Sequence, residues 1–235
     1  MFDKLKKILA GATAPGLAAA APTRAQLRLQ AMLDGLEDEP EQTFLDSADA
    51  AHRVDIHAFG RNFVEDCGDE DGEDGEDSAA DDEGYVLVTN GMSDRLMPMP
   101  PGGVPEGASR AVELIWYVRD LHPEYIANLR WLAKLPDFDR FFLGLGHRVP
   151  MPEPPLSFCP FQTFFFLSPI YRPDERLLSG VAVDEGQTVA TLTVHLISEA
   201  EYALVKREGG FGELLDLFDA NDHPMVFDPQ RSSYV

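Results

Sequence analysis

Chemistry-bearing residues gather at a few places in the chain. The first is YVLVTNGMSDRLMPMP, where an apolar, β-branched run from Tyr85 to Thr89 gives way to Asn90-Gly91 and then Met92-Ser93-Asp94. A serine beside an aspartate at the end of a strand suggests a nucleophile. A hydrolase elbow, however, has the form Gly-x-Ser-x-Gly, which holds a strained serine at a strand-to-helix turn, and this sequence lacks it. Turn chemistry accounts for the same residues. Asn-Gly supplies positive φ angles, and the Ser93 and Asp94 side chains can bond the loop's own amides. A rigid turn or a recognition loop is expected here, with a serine hydrolase as the lesser alternative.

Other candidates are weaker still. Cys159 could pair with His147 or His195 as nucleophile and base, yet it lies among Phe158, Pro160 and Phe161, where burial raises a thiol's pKa and makes it inert. The histidines at 52, 57, 122, 147, 195 and 223 never fall at the i, i+4 spacing of a helical zinc pair, and His52 and His57, five apart on an expected strand, point to opposite faces. Zinc could be held only by residues converging in the fold. The tract from Glu65 to Glu83 holds twelve carboxylates that could attract calcium, but Asp74 stands where an EF-hand needs glycine. Loose cation condensation is the better reading. Gly144-Leu145-Gly146 lacks the third glycine of a dinucleotide fingerprint. No cofactor, metal or catalytic residue is therefore expected.

The elements that must position these residues follow from periodicity. Thr23 and Gln26 have capping-box spacing ahead of Leu29, Met32, Leu33 and Leu36, which predicts a helix over about Thr23 to Leu36. HRVDIHAF alternates, with Val54, Ile56 and Ala58 inward and Arg53, Asp55, His57 and Phe59 outward, as a half-buried strand does. The acidic tract, about 65–84, reads as a disordered loop before the Tyr85 strand. VELIWYV at 112–118 is a further strand, and PEYIANLRWLAKLP is a helix from Pro123 that Pro136 should stop. FCPFQTFFFLSP reads as a buried strand whose three phenylalanines require helices on both faces of a sheet. TVATLTVHLI places Leu192, Val194 and Leu196 inward and Thr191, Thr193 and His195 outward. Ser198 and Glu201 then cap a helix that Gly209-Gly210 breaks or kinks before Leu214, Leu215 and Phe218. The irregular interleaving predicts an α+β single domain around a largely antiparallel or mixed sheet with packed helices.

The 235 residues divide into a flexible or amphipathic segment, 1–22, and one domain, 23–235. The segment has the basic start of a signal peptide, but Gly11, Pro15 and Gly16 interrupt its apolar stretch, and no other stretch approaches membrane-spanning length. With only Cys67 and Cys159 there is no disulfide framework, which fits a reducing cytoplasm. Charge is the most informative bulk property. Against 19 Lys and Arg stand 41 Asp and Glu, a net of -22, of which -10 remains once the twelve tract carboxylates are set aside. That sign repels nucleic acid and anionic membranes and attracts a basic protein.

The strings YVLVTNGMSD, ELIWYV, GLGHRVP and HLISEAEYALVKREGG…LLDLF, in consistent order over roughly Thr23 to Val235, resemble the suppressor of fused (SUFU) domain family, in the form of a stand-alone SUFU-like domain of the SUKH superfamily. The resemblance implies a protein-binding domain without catalysis. The animal member grips a transcription-factor peptide, and bacterial relatives are regarded as immunity proteins against secreted toxins. The animal proteins carry a further C-terminal domain that this chain is too short to hold, and the acidic tract lies outside the family pattern. Two partner classes follow: a basic toxin met by the acidic surface, or an endogenous peptide added as a strand beside GMSD and GLGHRVP. Ser93, Asp94 and His147 are then the candidate partner-binding residues.

Overall fold

The computed structural model describes residues 21–63, 83–169 and 171–235. The expected N-terminal amphipathic segment, the body of the acidic tract and Cys67 lie outside them. Seven strands form one sheet: β1 (Gln42–Phe44), β2 (Asp55–Asn62), β3 (Glu83–Asn90), β4 (Val112–Val118), β5 (Arg148–Pro150), β6 (Thr163–Leu167) and β7 (Ala190–Ile197), in the order β1-β2-β3-β4-β7-β6-β5. Neighbours run antiparallel except β4 and β7, which are parallel. Among the described residues five α-helices pack on it: α1 (Arg24–Leu36), α2 (Pro123–Asp139), α3 (Arg172–Glu175), α4 (Glu199–Val205) and α5 (Gly210–Ala220). This is the expected α+β single domain with a mixed sheet.

Strand alternation builds two cores. Leu87, Leu114, Trp116, Phe164, Phe166, Val194 and Leu196 face α2, where Tyr125, Ile126, Leu129 and Leu132 meet them. On the other face Phe59, Val86, Val88, Ile115 and Tyr117 pack with Met32 of α1, while Phe165 and Ile197 pack with α4 and α5. The Phe164-Phe165-Phe166 run is thus divided between the faces, and all three rings are fully buried. Each contributes roughly 1.5–3 kcal/mol by leaving water.

Local signals hold where they were strongest. Thr23 and Ser198 make reciprocal capping boxes with Gln26 and Glu201. Pro123 opens α2 behind His122, whose Nδ1 accepts from the Glu124 amide at 3.3 Å. Gly209, at φ 77°, separates α4 from α5.

Four expectations change. Pro136 does not stop α2, which continues to Asp139; the helix gives up one hydrogen bond there, the one a residue 136 amide would make to the Leu132 carbonyl. His52 precedes β2 rather than sharing the strand with His57. Nor are β2 and β7 half-buried, because His57, Phe59, Thr191, Thr193 and His195 are covered as well. Helices on the second face account for this: Phe59 belongs to the α1 core, and His195 lies tilted beside the ring of Phe218 of α5. No described helix is long and apolar enough to cross a membrane.

Candidate functional site

The Asn90–Asp94 turn sits at one end of the sheet, and a carboxylate from the neighbouring strand determines its shape. Backbone pairing of β3 with β4 ends at Val88 and Ile115. Beyond it, the Thr89 hydroxyl accepts the Leu114 amide at 2.8 Å and donates to Glu113 Oε2 at 2.6 Å. Gly91 then adopts φ 144°, and a Cβ there would lie 2.2 Å from the Arg53 carbonyl oxygen, so only glycine fits. Asn90 is not in the positive-φ region; the turn is a glycine followed by one 3-10 turn, Met92–Asp94.

Glu113 is wholly buried. Its carboxylate accepts the amides of Gly91, Met92 and Ser93 at 3.0, 3.2 and 3.0 Å and the Ser93 hydroxyl at 2.7 Å. The loop's amides are therefore met by Glu113, and not by the Ser93 and Asp94 side chains as the sequence suggested. Arg28, equally buried on α1, closes the cluster. Its Nε donates to Asn90 Oδ1 at 2.7 Å, and its Nη1 donates to Ser93 Oγ at 3.0 Å and Asp94 Oδ1 at 2.8 Å. Nε also lies 3.4 Å from Glu113 Oε1, which balances the buried charges.

A second layer holds the turn from the side of β2. Asn90 Nδ2 donates to the Ala25 carbonyl and to His57 Nε2, each at 3.1 Å, and His57 Nδ1 lies 2.9 Å from the Thr43 hydroxyl. Burial lowers the His57 pKa and keeps the ring neutral, so Nε2 can accept. His52 Nε2 donates to the Gly91 carbonyl at 2.8 Å.

This geometry is a clamp. A nucleophilic serine needs a base ready to take its proton and a hydroxyl open to substrate. Ser93 is buried, its proton points at a carboxylate already occupied by amides, and its lone pair receives an arginine. Asp94 is the part of the cluster that reaches solvent, with 40% of its side chain exposed.

His147 lies elsewhere: its hydrogen bonds and ring contact among the described residues go to Gly144 and Phe142, not to Ser93 or Asp94. It is half-buried in the turn before β5, where its Nδ1 accepts the Gly144 amide at 3.1 Å and its ring meets Phe142 edge-on. Burial lowers its pKa. It lines a cleft of about 830 Å³ with Ser109, Phe142, Arg176 and Thr188. Cys159 is buried and unpaired, and desolvation raises its thiol pKa. Among the described residues no three His, Cys, Asp or Glu side chains are placed to hold a metal ion.

Sequence reasoning missed Arg28 and Glu113. Glu113 did leave a signal, as the lone charge in the apolar run AVELIWYV, because a buried charge requires a partner. Arg28 left none, since a polar residue is unremarkable on an amphipathic helix.

The profile described as suppressor of fused protein (SUFU) matches residues 52–232. The chain belongs to the suppressor of fused family. The matched stretch contains the clamp turn and Glu113, whereas Arg28 precedes it. No curated protein sequence matches the chain. Solved structures of the family share its fold. A suppressor of fused homologue from Neisseria gonorrhoeae FA 1090 superposes with TM-score 0.59 at 17% identity, covering 90% of this chain and 97% of its own. The Sufu-Fu complex gives 0.58 at 14% identity, covering 88% and 91%. Drosophila Suppressor of Fused gives 0.50 at 14% identity, covering 77% of this chain and 42% of the larger protein.

Proposed function

We propose that the chain is a non-catalytic protein-binding domain whose acidic surface engages a basic protein, and that its partner is a toxin acting on nucleic acid. Family membership supports protein binding, since one relative's structure is a Sufu-Fu complex. The observation that carries the finer reading is charge: -22 in total and -10 outside the acidic tract. A protein that cuts or binds nucleic acid needs a basic surface, and an acidic inhibitor associates with it quickly and covers it. Asp94 is the residue of the clamp placed to touch a partner. Ser93 acts by holding the turn beneath it.

The test is capture of partners by tagged chain from lysate of its native host, at low salt and at about 0.5 M salt, where surface attraction is screened within a few Å. A stoichiometric basic protein held at low salt and lost at high salt is expected. Unchanged association in high salt removes the electrostatic reading.

A specific observation favours a second reading, an adaptor that adds an endogenous peptide as a strand. The GLGHRVP string forms the approach to β5 and β5 itself, the terminal strand of the sheet, paired on one side only among the described residues, and an unpaired edge can template a peptide. On that reading His147→Ala weakens peptide binding and leaves the thermal midpoint nearly unchanged; equal loss of stability makes His147 structural.

A further inference from the structure

β4 and β7 pair only over their first halves. Their register ends at Ile115 and Thr193, although β4 continues to Val118 and β7 to Ile197. The segment that follows α5 fills the wedge where the two strands part. On one wall the Phe227 amide donates to the Tyr117 carbonyl at 2.9 Å, and Phe227 bridges Val118 in the parallel sense. Its ring lies beside those of Trp116 and Tyr125, with centroids 5.7 and 6.1 Å away. On the other wall, four residues on, Arg231 Nη2 donates to the Leu196 carbonyl of β7 at 3.1 Å, and the guanidinium grips Glu201 of α4 with Nη1 at 2.7 Å and Nη2 at 2.8 Å. An aromatic residue and an arginine four positions later thus bridge a gap in the sheet.

This occupant is shallowly held. Of residues 221–235 only Val226 is buried, and the rest are partly or fully exposed. A segment with so little buried apolar surface opens locally at a lower free energy than the sheet beneath it. Opening leaves no buried charge alone, because Glu201 keeps the Ser198 amide at 2.8 Å and meets water where Arg231 lay. It leaves the Tyr117 and Leu196 carbonyls facing an empty slot, and an added strand supplies the donors they then need.

We infer that the wedge between β4 and β7 is a binding site for an extended segment of a partner protein, one that carries an aromatic residue followed at the fourth position by arginine and enters by displacing residues 224–235. The specificity is that of the segment it replaces. The incoming backbone amide takes the Tyr117 carbonyl, the aromatic ring packs against Trp116 and Tyr125, and the arginine reaches Leu196 and Glu201 as Arg231 does. An arginine also suits a molecule of net charge -22, whose field draws a basic segment toward it. The resident segment competes at an effective concentration roughly in the millimolar range, so a partner must add contacts outside the slot, and segments that match it only in part are rejected. The inference rests on the protein-binding reading and not on the toxin reading, and it uses a different strand edge from β5.

The experiment uses the full chain throughout. Native-state hydrogen exchange should show the Phe227 amide opening at a rate that low urea leaves unchanged, while the Ile115 amide follows global unfolding; exchange of Phe227 only by global unfolding overturns the inference. A synthetic peptide of residues 222–235 is then titrated into the Arg231→Ala chain and the wild type, followed by the amide NMR signals of Tyr117 and Leu196. Saturable binding to Arg231→Ala is expected, with wild type about tenfold weaker because its own segment competes better. Placed in the peptide instead, Arg231→Ala or Phe227→Ala should weaken binding about tenfold, the value of one good contact. Opposite effects of one substitution in chain and peptide cannot come from a general loss of stability. No binding to the Arg231→Ala chain by about 1 mM peptide, or affinities indifferent to the peptide's sequence, overturn the inference. Excess peptide should also release a partner captured from lysate. Retention places that partner elsewhere, which overturns the slot and leaves the protein-binding reading standing.

Discussion

Glu113 and Glu201 are both buried carboxylates that face a buried arginine, yet they hold the molecule together in different ways. Glu113 receives three turn amides and two hydroxyls, with Arg28 balancing its charge from 3.4 Å. Glu201 is chiefly an ion pair. Arg231 grips it with two nitrogens at 2.7 and 2.8 Å, and the amides of Ser198 and Tyr234 complete it at 2.8 and 3.0 Å. Arg231 lies in turn among the rings of Phe161, Phe218 and Tyr234. The first carboxylate shapes a loop that the backbone alone would leave with unmet amides, and the second fastens the C-terminal tail to α4. What a buried charge does is decided by which donors surround it more than by the presence of an arginine.

Removing each carboxylate separates the two roles. Glu113→Ala should cost about 3–5 kcal/mol, the range for breaking a buried pair, because it strands the turn amides as well as Arg28. Glu201→Ala should cost less, about 2–3 kcal/mol, because Arg231 keeps the Leu196 and Ser232 carbonyls and fewer buried donors lose their acceptor. Urea unfolding of both variants checks the order. Equal losses would mean that the arginine sets the cost and that the turn amides contribute little.

Acid should distinguish the same two regions. Beside Arg231, the buried His195 and half-buried His223 rings lie 3.3 Å apart at their nearest nitrogens, and Tyr234 Oη approaches His223 Nδ1 at 3.1 Å. Burial, together with the charge of each neighbour and of Arg231, lowers His195 to about 3, and burial with Arg231 lowers His223 to about 4. The unfolded chain therefore binds protons first as pH falls below about 6.5, so stability is full above that value and declines toward the folded pKa values. A loss of about 4 kcal/mol between pH 6.5 and pH 4.5 is expected, about 2 from each ring. His223→Gln should remove about half of it. Glu201, held low by Arg231 and the amides against the cost of burial, loses its contribution only at lower pH. If His223→Gln leaves the slope unchanged, the tail histidines are not its source.

The sheet and its two-sided cover were legible because they rest on local patterns: alternation in β2 and β7, three consecutive phenylalanines, and two capping boxes. β1 and β5 were not, since three residues carry no period. The burial of Thr191, Thr193 and His195 also escaped, because alternation tells which residues share a face and not whether that face is covered. At the turn, GMSD suggested the wrong bonds. Its partners come from β4 and α1, separated from Ser93 by 20 and 65 residues, and a tertiary pairing leaves no local spacing. The lone glutamate in VELIWYV was the one readable trace of it.

The smallest expected effect concerns Asp94. It shares Arg28 with Glu113, but 40% of its side chain is exposed, whereas that of Glu113 is fully covered. Solvent screening limits such a pair to about 1 kcal/mol or less, so Asp94→Asn should shift the urea midpoint slightly and the wild-type advantage should shrink as salt rises to about 0.5 M. Arg28 then keeps Asn90, Ser93 and Glu113, and the turn stays formed, which the Gly91 and Ser93 amide NMR signals can verify. A partner that docks on the clamp should nonetheless bind Asp94→Asn more weakly, because the substitution removes the one carboxylate the turn presents outward. Stability lost to the same degree as in Glu113→Ala would place Asp94 inside the clamp with Glu113, and the division between a buried carboxylate that shapes the turn and an exposed one that meets a partner would fail.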